Sequence, residues 1–183
     1  MFRRFMITCA AIAILAAGAA AEEKTVMVGG APMYPSKDII DNAINSKDHT
    51  TLVAAVKAAG LVGTLKGIGP FTVFAPTNAA FEKLPAGTVD MLLRPDHLDA
   101  LKAVLTYHVV PGRIDSKMLK EMAHKGKGAA ELKTVSGDTL WIAWKDGKLW
   151  LRDGKGTTAA ITTADVYQSN GVIHVIDTVV MAK

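Results

Sequence analysis

Apolar residues recur every three or four positions through the first two-thirds of the chain. Leu52 and Val56 share one face of a helix, as Leu101 and Leu105 do further on, and Gly60 is suited to end the first of these helices. The segment 26–35 is rich in Gly and Pro and is expected to be extended. The spacing predicts helices over residues 39–44, 52–59, 79–81, 88–93, 96–106 and 116–122, with caps at Ser36, at Asp48 or Thr50, at Thr77 or Asn78, and at Asp115 or Ser116.

Short runs of strand-forming residues fill the last third of the chain. Turn pairs such as Asp146-Gly147 and Asn170-Gly171 separate these runs, as in β-hairpins. The runs predict strands over residues 132–135, 139–144, 148–151, 158–162, 165–167 and 172–176. Helices therefore come first and antiparallel strands last, which indicates the α+β class without a parallel βαβ repeat.

One further strand is predicted in the middle of the chain, within the stretch FTVFAPTNAAF at residues 71–81. Residues 71–75 are apolar at nearly every position, so this strand is expected to be covered on both faces. Pro76 removes a backbone donor and ends the strand, and Thr77 or Asn78 then caps a short helix. The polar break is interpreted as part of the fold and not as a reactive site.

The N-terminus has the pattern of a secretory signal peptide. Arg3 and Arg4 precede an apolar run over residues 5–17, and Ala19-Ala20-Ala21 provides a small-residue cleavage site. We expect cleavage after Ala21 by a Sec-type pathway and a secreted or periplasmic protein. The predicted organisation is a signal peptide at 1–21, an N-terminal extension with a helix at 22–46, and one domain at 47–183.

Composition excludes several classes of function. The single cysteine lies within the predicted leader, and no other apolar run approaches the roughly 20 residues of a membrane span. Lys plus Arg is 21 against 17 for Asp plus Glu, so nucleic-acid binding is not expected. The basic stretch over residues 117–133 is interpreted as a solvated helix end and loop, with a contact for anionic lipid or polysaccharide as the alternative.

Motifs for catalysis, metals or cofactors are not recognisable in the chain. The five histidines are dispersed without metal-ligand spacing, and no nucleophile elbow or mature cysteine nucleophile is present. The glycines at 63, 67 and 69 precede a strand and lack a following Lys-Ser/Thr, so they are interpreted as turn residues and not as a phosphate loop. The expected protein is not an enzyme and needs no metal or cofactor.

Three segments together resemble the fasciclin (FAS1) domain family. They are GPFTVFAPTNAAF at 69–81, YHVVPG at 107–112 and SNGVIHVIDTVVM at 169–181, and the resemblance extends over about residues 47–181. The chain is most similar to short, single-domain, exported bacterial members. The resemblance implies a wedge-shaped antiparallel β-sandwich with helices packed along it, and a role in adhesion without catalysis.

The resemblance also suggests binding positions. In animal members a Tyr-His pair and an Asp-Ile pair are linked to receptor contact, and these correspond to Tyr107 and His108 and to Asp165 and Val166. The alternative for His108 is a packed histidine that bonds to a backbone carbonyl.

The tryptophans are a second candidate binding region. Trp141 and Trp144 have opposite parity in one predicted strand, so a regular sheet places them on opposite faces. Either all the tryptophans belong to the core, or they form an aromatic platform for sugar or lipid beside the basic stretch.

Three functions remain open from the sequence. The first is a module that binds a cell-surface or matrix protein or polysaccharide, with lipid as a further candidate partner. The second is a carrier or sensor of a small apolar ligand or lipid in the cell envelope, and the third is a purely structural envelope protein. A carrier should bring a bound ligand from its native source, an adhesion module should be depleted from solution by cells or matrix polymers, and a structural protein should do neither.

Overall fold

The computed structural model describes residues 24–182, so the predicted leader lies outside the described residues. The α-helices are α1 Ile39–Ala43, α2 Thr50–Ala58, α3 Val62–Leu65, α4 Asn78–Glu82, α5 Thr88–Leu92, α6 Leu98–Tyr107 and α7 Ser116–Lys125, with 3-10 turns at Lys47–His49 and Pro95–His97. The strands are β1 Val26–Val28, β2 Ala31–Met33, β3 Phe71–Pro76, β4 Val109–Pro111, β5 Ala129–Lys133, β6 Thr139–Lys145, β7 Lys148–Arg152, β8 Thr158–Gln168 and β9 Gly171–Ile176.

The larger sheet has seven strands in the order β4-β3-β9-β8-β7-β6-β5. All its neighbouring pairs are antiparallel except β3 and β9, which run parallel. The α+β class is confirmed, but the expectation that the strands are all antiparallel is corrected by this central pair. A parallel pair requires a long crossover, and the intervening helices and hairpins supply it.

Strand β8 joins the two halves of this sheet. Its residues 158–160 pair with β7, and its residues 161–168 pair with β9 across register shifts near Thr163. The two strands predicted at 158–162 and 165–167 are therefore one strand, which bends at these irregularities. The Val135 N–H donates to the Val109 carbonyl over 2.8 Å, which brings the two ends of the strand order together and almost closes the sheet.

Two hydrophobic cores lie on opposite faces of β3. Val73 and Ala75 pack with the helices around Ile40, Val56 and Leu105. Phe74 packs in the second core, inside the folded sheet; that core also contains Tyr107, Leu119, Leu140, Ile142, Leu151 and Ile176. The prediction that this strand is covered on both faces is confirmed, and this explains its nearly unbroken apolar sequence.

The N-terminal segment contains structure that the sequence pattern did not indicate. Residues predicted to be merely extended form a hairpin of β1 and β2. Helix α1 is capped by Asp38, whose carboxylate accepts from the Asp41 N–H over 2.8 Å, and not by Ser36 as predicted. Val28, Met33 and Ile39 are buried in the first core, so this segment packs with the rest of the described chain.

Helix limits differ from the predictions at other places as well. Helix α3 was not predicted, because Gly63 within it suggested a turn. Helix α7 begins with the predicted cap, since Asp115 accepts from the Met118 N–H over 2.8 Å, but it continues to Lys125, beyond the predicted end at 122. The two 3-10 turns precede α2 and α6, whose predicted apolar faces are both buried.

The polar break after β3 joins two helices. The Thr77 hydroxyl accepts from the Ala80 N–H over 3.2 Å and caps α4. The Asn78 side-chain oxygen accepts from the Thr51 N–H over 3.0 Å, and its amide donates to the Lys47 carbonyl over 2.9 Å. Thr77 is therefore the cap of its own helix, whereas Asn78 satisfies a free backbone donor at the start of α2.

We expect Asn78→Ala to lower the free energy of unfolding by about 1 to 2 kcal/mol, because the start of α2 loses its acceptor and the Lys47 carbonyl loses its donor. Asn78→Asp is the matched control, since it keeps the acceptor and should lose less. Denaturant unfolding of the three proteins measures both values. Equal stability of the parent and the alanine variant would contradict this role.

Candidate functional site

The Tyr107–His108 pair ends helix α6 in the interior of the molecule. Tyr107 is 1% exposed, and its hydroxyl donates to the Thr139 carbonyl over 2.8 Å. His108 is 3% exposed; its Nδ1 lies 2.8 Å from the Val104 carbonyl, and its Nε2 accepts from the Val180 N–H over 3.3 Å. Since a carbonyl only accepts and an N–H only donates, the imidazole is neutral with its proton on Nδ1.

Burial sets the ionisation of His108. The loss of hydration of the charged ring lowers the pKa of His108 to about 4, although the Val104 carbonyl opposes this change. The ring thus stays neutral at neutral pH. The ring is packed and bonded to a backbone carbonyl, which is the alternative considered for His108 in the sequence. A role of His108 in partner contact stays a prediction.

The Asp165–Val166 pair lies in the irregular part of β8. Asp165 has a φ of 60°, a left-handed conformation that Asp tolerates better than most residues. Its carboxylate accepts from the Ser116 N–H over 2.7 Å and from the Ser116 hydroxyl over 2.5 Å. Val166 is 1% exposed and belongs to the first core. Asp165 therefore ties β8 to the start of α7, and Val166 anchors the strand beside it.

His174 completes this arrangement from β9. Its Nδ1 accepts from the Asp165 N–H over 3.3 Å, and its Nε2 lies 2.9 Å from the Ile114 carbonyl. Burial lowers the pKa of His174, so the neutral ring links β8, β9 and the segment before α7. In the sequence, His174 alternates with Val172 and Ile176, which is typical of a packed side chain.

The accessible residue that follows the Asp165–Val166 pair is Tyr167, which is 39% exposed on β8. The Arg113 guanidinium donates to the Gln168 and Ser169 carbonyls, both over 3.0 Å, and it lies close enough to Tyr167 to lower the pKa of that hydroxyl against the larger effect of burial, which raises it. We call Arg113 and Tyr167 the Tyr167 surface. Alternation along β8 could have identified Tyr167, since it follows the buried Val166.

The tryptophans divide between the two faces of the outer sheet. Trp144 shares a face with the buried Leu140 and Ile142 and packs against the second core, with the Lys120 ammonium 4.5 Å from the centre of its ring. Trp141 and Trp150 lie on the other face. The predicted opposite orientation of Trp141 and Trp144 is found, and an aromatic surface here would pair Trp141 with Trp150 instead.

An apolar cavity of about 60 Å³ lies between the helices and the sheet. His49 borders it and is 3% exposed, with Nδ1 2.8 Å from the Ser46 hydroxyl oxygen. Its Nε2 has no hydrogen bond of normal geometry within the described residues. Burial lowers the pKa of His49, and the nearby Ala75 backbone opposes this change. For comparison, a cavity that admits benzene measures about 150 Å³.

Residues 24–182 contain neither a cluster of metal ligands nor a membrane-spanning helix. Within this range no three His, Cys, Asp or Glu side chains are arranged so that they could hold a metal ion. The helices of the same range include none that is both long and apolar enough to cross a bilayer.

Comparisons with known proteins agree with the three segments singled out above. A family model described as "Fasciclin domain" matches residues 47–182. The chain is 45% identical over 159 residues to "Protein sll1483" of Synechocystis sp., which covers 87% of the chain and 81% of that protein. It is 34% identical over 145 residues to "Cell surface glycolipoprotein MPB83" of Mycobacterium bovis, which covers 76% of the chain and 58% of that protein.

A solved structure has the same fold. It is a FAS1 domain pair from the insect cell adhesion molecule Fasciclin I, with a TM-score of 0.69 at 19% identity. The match covers 79% of this chain and 51% of that chain. At this identity the likeness concerns the fold alone, and it agrees with the fold that the sequence resemblance implied.

The burial of His108 predicts a loss of stability in acid. Its folded pKa of about 4 lies below the unfolded value near 6.5, so the unfolded chain takes up the proton first as the pH falls. The contribution of His108 is complete above pH 6.5 and decreases by about 3 kcal/mol on the way to pH 4. Denaturant unfolding at several pH values measures this decrease.

His108→Asn keeps a donor for the Val104 carbonyl and cannot titrate. We expect this variant to be less stable at pH 7 but to lose less stability than the parent between pH 6.5 and 4. The exposed His124 is the control position, and His124→Ala should follow the parent curve. Parallel curves for the parent and His108→Asn would refute the assignment.

Proposed function

Because the chain belongs to the fasciclin domain family, we propose that it is a non-catalytic module that binds a cell-surface or matrix component. The observation that carries the proposal is that the buried polar groups best suited to acid–base chemistry are already hydrogen-bonded within the protein. His108, His174 and Asp165 are engaged in internal hydrogen bonds that join separate elements. Groups committed in this way support a rigid fold and leave contact to the surface.

We propose that the protein acts outside the cytoplasm. The leader pattern at residues 1–21 supports export, and one similar protein is named a cell surface glycolipoprotein. A fold with this architecture also occurs in a protein described as an insect cell adhesion molecule. We propose release of the mature chain after Ala21 and binding to a surface protein or polysaccharide, with lipid as a further candidate partner.

The two predicted pairs would then act indirectly. Tyr107, His108 and Val166 are buried, so we propose that they hold the elements around them, while Asp165 fixes the start of α7. The Tyr167 surface is a candidate for direct contact, since it combines an exposed aromatic ring and a guanidinium.

The alternative of a ligand carrier has less support. The internal cavity of about 60 Å³ is lined mainly by apolar side chains, but it is far smaller than the 300 Å³ or more of an ordinary ligand pocket. A lipid or a comparable apolar molecule would require the two layers around β3 to separate.

We expect the mature protein to be removed from solution by whole cells or matrix polymers in a saturable way, without any chemical change in the polymer. Depletion measured against protein concentration tests binding, and chromatography of the incubated polymer tests turnover. Heat-denatured protein that does not refold serves as the control without the fold. Failure to deplete the folded protein, or steady breakdown of the polymer, would overturn the proposal.

Export has its own test. The mature N-terminus determined from fractionated cells should be Glu22, with the protein outside the cytoplasmic fraction. Recovery of the chain from the cytoplasm with Met1 retained would contradict this part of the proposal.

A further inference from the structure

The outer face of β6 and β7 carries a groove of about 330 Å³. Trp141 and Trp150 border it, Ala129 and Ala143 lie between and beside them, and Arg152 and Lys145 extend along it. This face points away from the second core, because Leu140, Ile142, Leu149 and Leu151 occupy the alternate positions of the same strands.

Strand register produces the groove. Ala129 of β5 lies opposite Ala143 of β6, which lies opposite Trp150 of β7, which in turn lies opposite Ala160 of β8. Three alanines therefore flank one indole in this row, so bulky side chains do not fill the surface around Trp150. In the next row Trp141 lies opposite Arg152, diagonal to Trp150.

Both indoles carry polar features that suit a ligand. The Arg152 guanidinium lies 5.5 Å from the centre of the Trp141 ring, which holds a cation beside an aromatic face. The Trp150 indole N–H is buried without a hydrogen-bond partner within the described residues. Such an unsatisfied donor is unfavourable in the free protein.

Charge is placed at both ends of the apolar rows. Lys145 and Lys148 face each other beside the β6–β7 turn, and Lys133 and Arg152 lie toward the opposite end. All four side chains are exposed, none forms an ion pair within the described residues, and the acidic residues of this face are Glu131 and Asp146. The face therefore favours an extended ligand that carries negative charge at intervals.

We propose that this groove, which we call the Trp141–Trp150 groove, binds an acidic polysaccharide. The proposal rests on the proposed function and names the surface and the class of partner. Sugar rings have apolar faces whose weakly positive C–H groups pack on the negative face of an indole. Uronate carboxylates along the chain pair with Arg152, Lys145 and Lys148, and a guanidinium can bind a carboxylate through two hydrogen bonds.

Other classes of partner fit this face less well. A lipid has one charged head and an acyl chain that requires burial away from water, whereas this groove lies on the outer face of the sheet and has cations at both ends. Strand β5 is an edge strand, but its exposed residues on this face include Glu131 and Lys133, and charged side chains discourage the addition of another strand.

Binding to polygalacturonate, measured by calorimetry, tests the proposal. Arg152→Gln should weaken binding about tenfold, as expected for the loss of one charge-assisted contact. Ala143→Leu should weaken binding as well, because it fills the groove and leaves both indoles in place. Lys120→Gln is the matched control, since it removes the same charge from α7 beside Trp144 on the opposite face. It should change the affinity less than twofold.

Equal losses in Arg152→Gln and Lys120→Gln would reduce the effect to general attraction between charges and overturn the proposal. So would absence of binding to polygalacturonate, or equal binding of Ala143→Leu and the parent. If phosphatidylglycerol vesicles bind and polygalacturonate does not, and if this binding depends on Arg152, the groove is a lipid site and the polysaccharide proposal is overturned. Dextran, a neutral polymer, should bind far more weakly than polygalacturonate.

Adsorption to cells or matrix distinguishes a failure of the groove proposal from a failure of the proposed function. If the parent still adsorbs to cells or matrix while Arg152→Gln adsorbs equally, the groove proposal fails and the interaction module stands. If the parent adsorbs to neither, the proposed function fails. Near-native unfolding curves for Arg152→Gln and Ala143→Leu are expected, because both positions lie on the outer face of the sheet.

Discussion

The parallel pairing of β3 with β9 is the constraint on which the rest of this structure depends. Six consecutive residue pairs join the two strands, and every residue of β9 is buried. The pair has a core on each side, so its side chains must be apolar on both faces, and its polar members must find internal partners. Thr72 shows this, because its buried hydroxyl donates to the Gly112 carbonyl and accepts from the Ile114 N–H.

The three segments that resemble the family are neighbours in this part of the fold. Residues 69–81 form β3 and α4, residues 107–112 contain β4, and residues 169–181 contain β9, so that β4, β3 and β9 are adjacent strands. Asn170, before β9, accepts from the Ile39 N–H and donates to the Leu65 carbonyl. Gly171 lies so close to the Phe71 carbonyl that a Cβ would stand 2.2 Å from that oxygen. These motifs therefore describe the centre of the fold.

The polar groups in the centre of the fold form internal hydrogen bonds. His108, His174 and Asp165 bond to backbone groups of neighbouring elements, and the small internal cavity leaves little room for a ligand. Surface features are instead found at the Tyr167 surface and on the outer face of β6 and β7. Alternation along β6 places Trp144 against the second core and Trp141 on the outer face.

Local pattern determined much of this protein. The apolar spacing located α2 and α6, the turn pairs located the hairpins, and the unbroken apolar stretch at 71–75 correctly indicated a strand buried on both faces. These features depend on neighbours in the sequence, and so the sequence alone contains them. Which residue caps α4 was less well determined, because both Thr77 and Asn78 can accept a hydrogen bond from a backbone N–H. In the structure Thr77 accepts from α4, and Asn78 accepts from α2, which packs beside it.

The tertiary structure decided what depends on distant partners. The parallel pairing of β3 with β9 and the link from Asp165 to Ser116 both join residues that are far apart in the chain. That Trp150 shares a face with Trp141, diagonal to it, follows from the register of β6 against β7. Local sequence states which faces alternate but not which strands become neighbours, since that choice is made by long-range packing around the two cores.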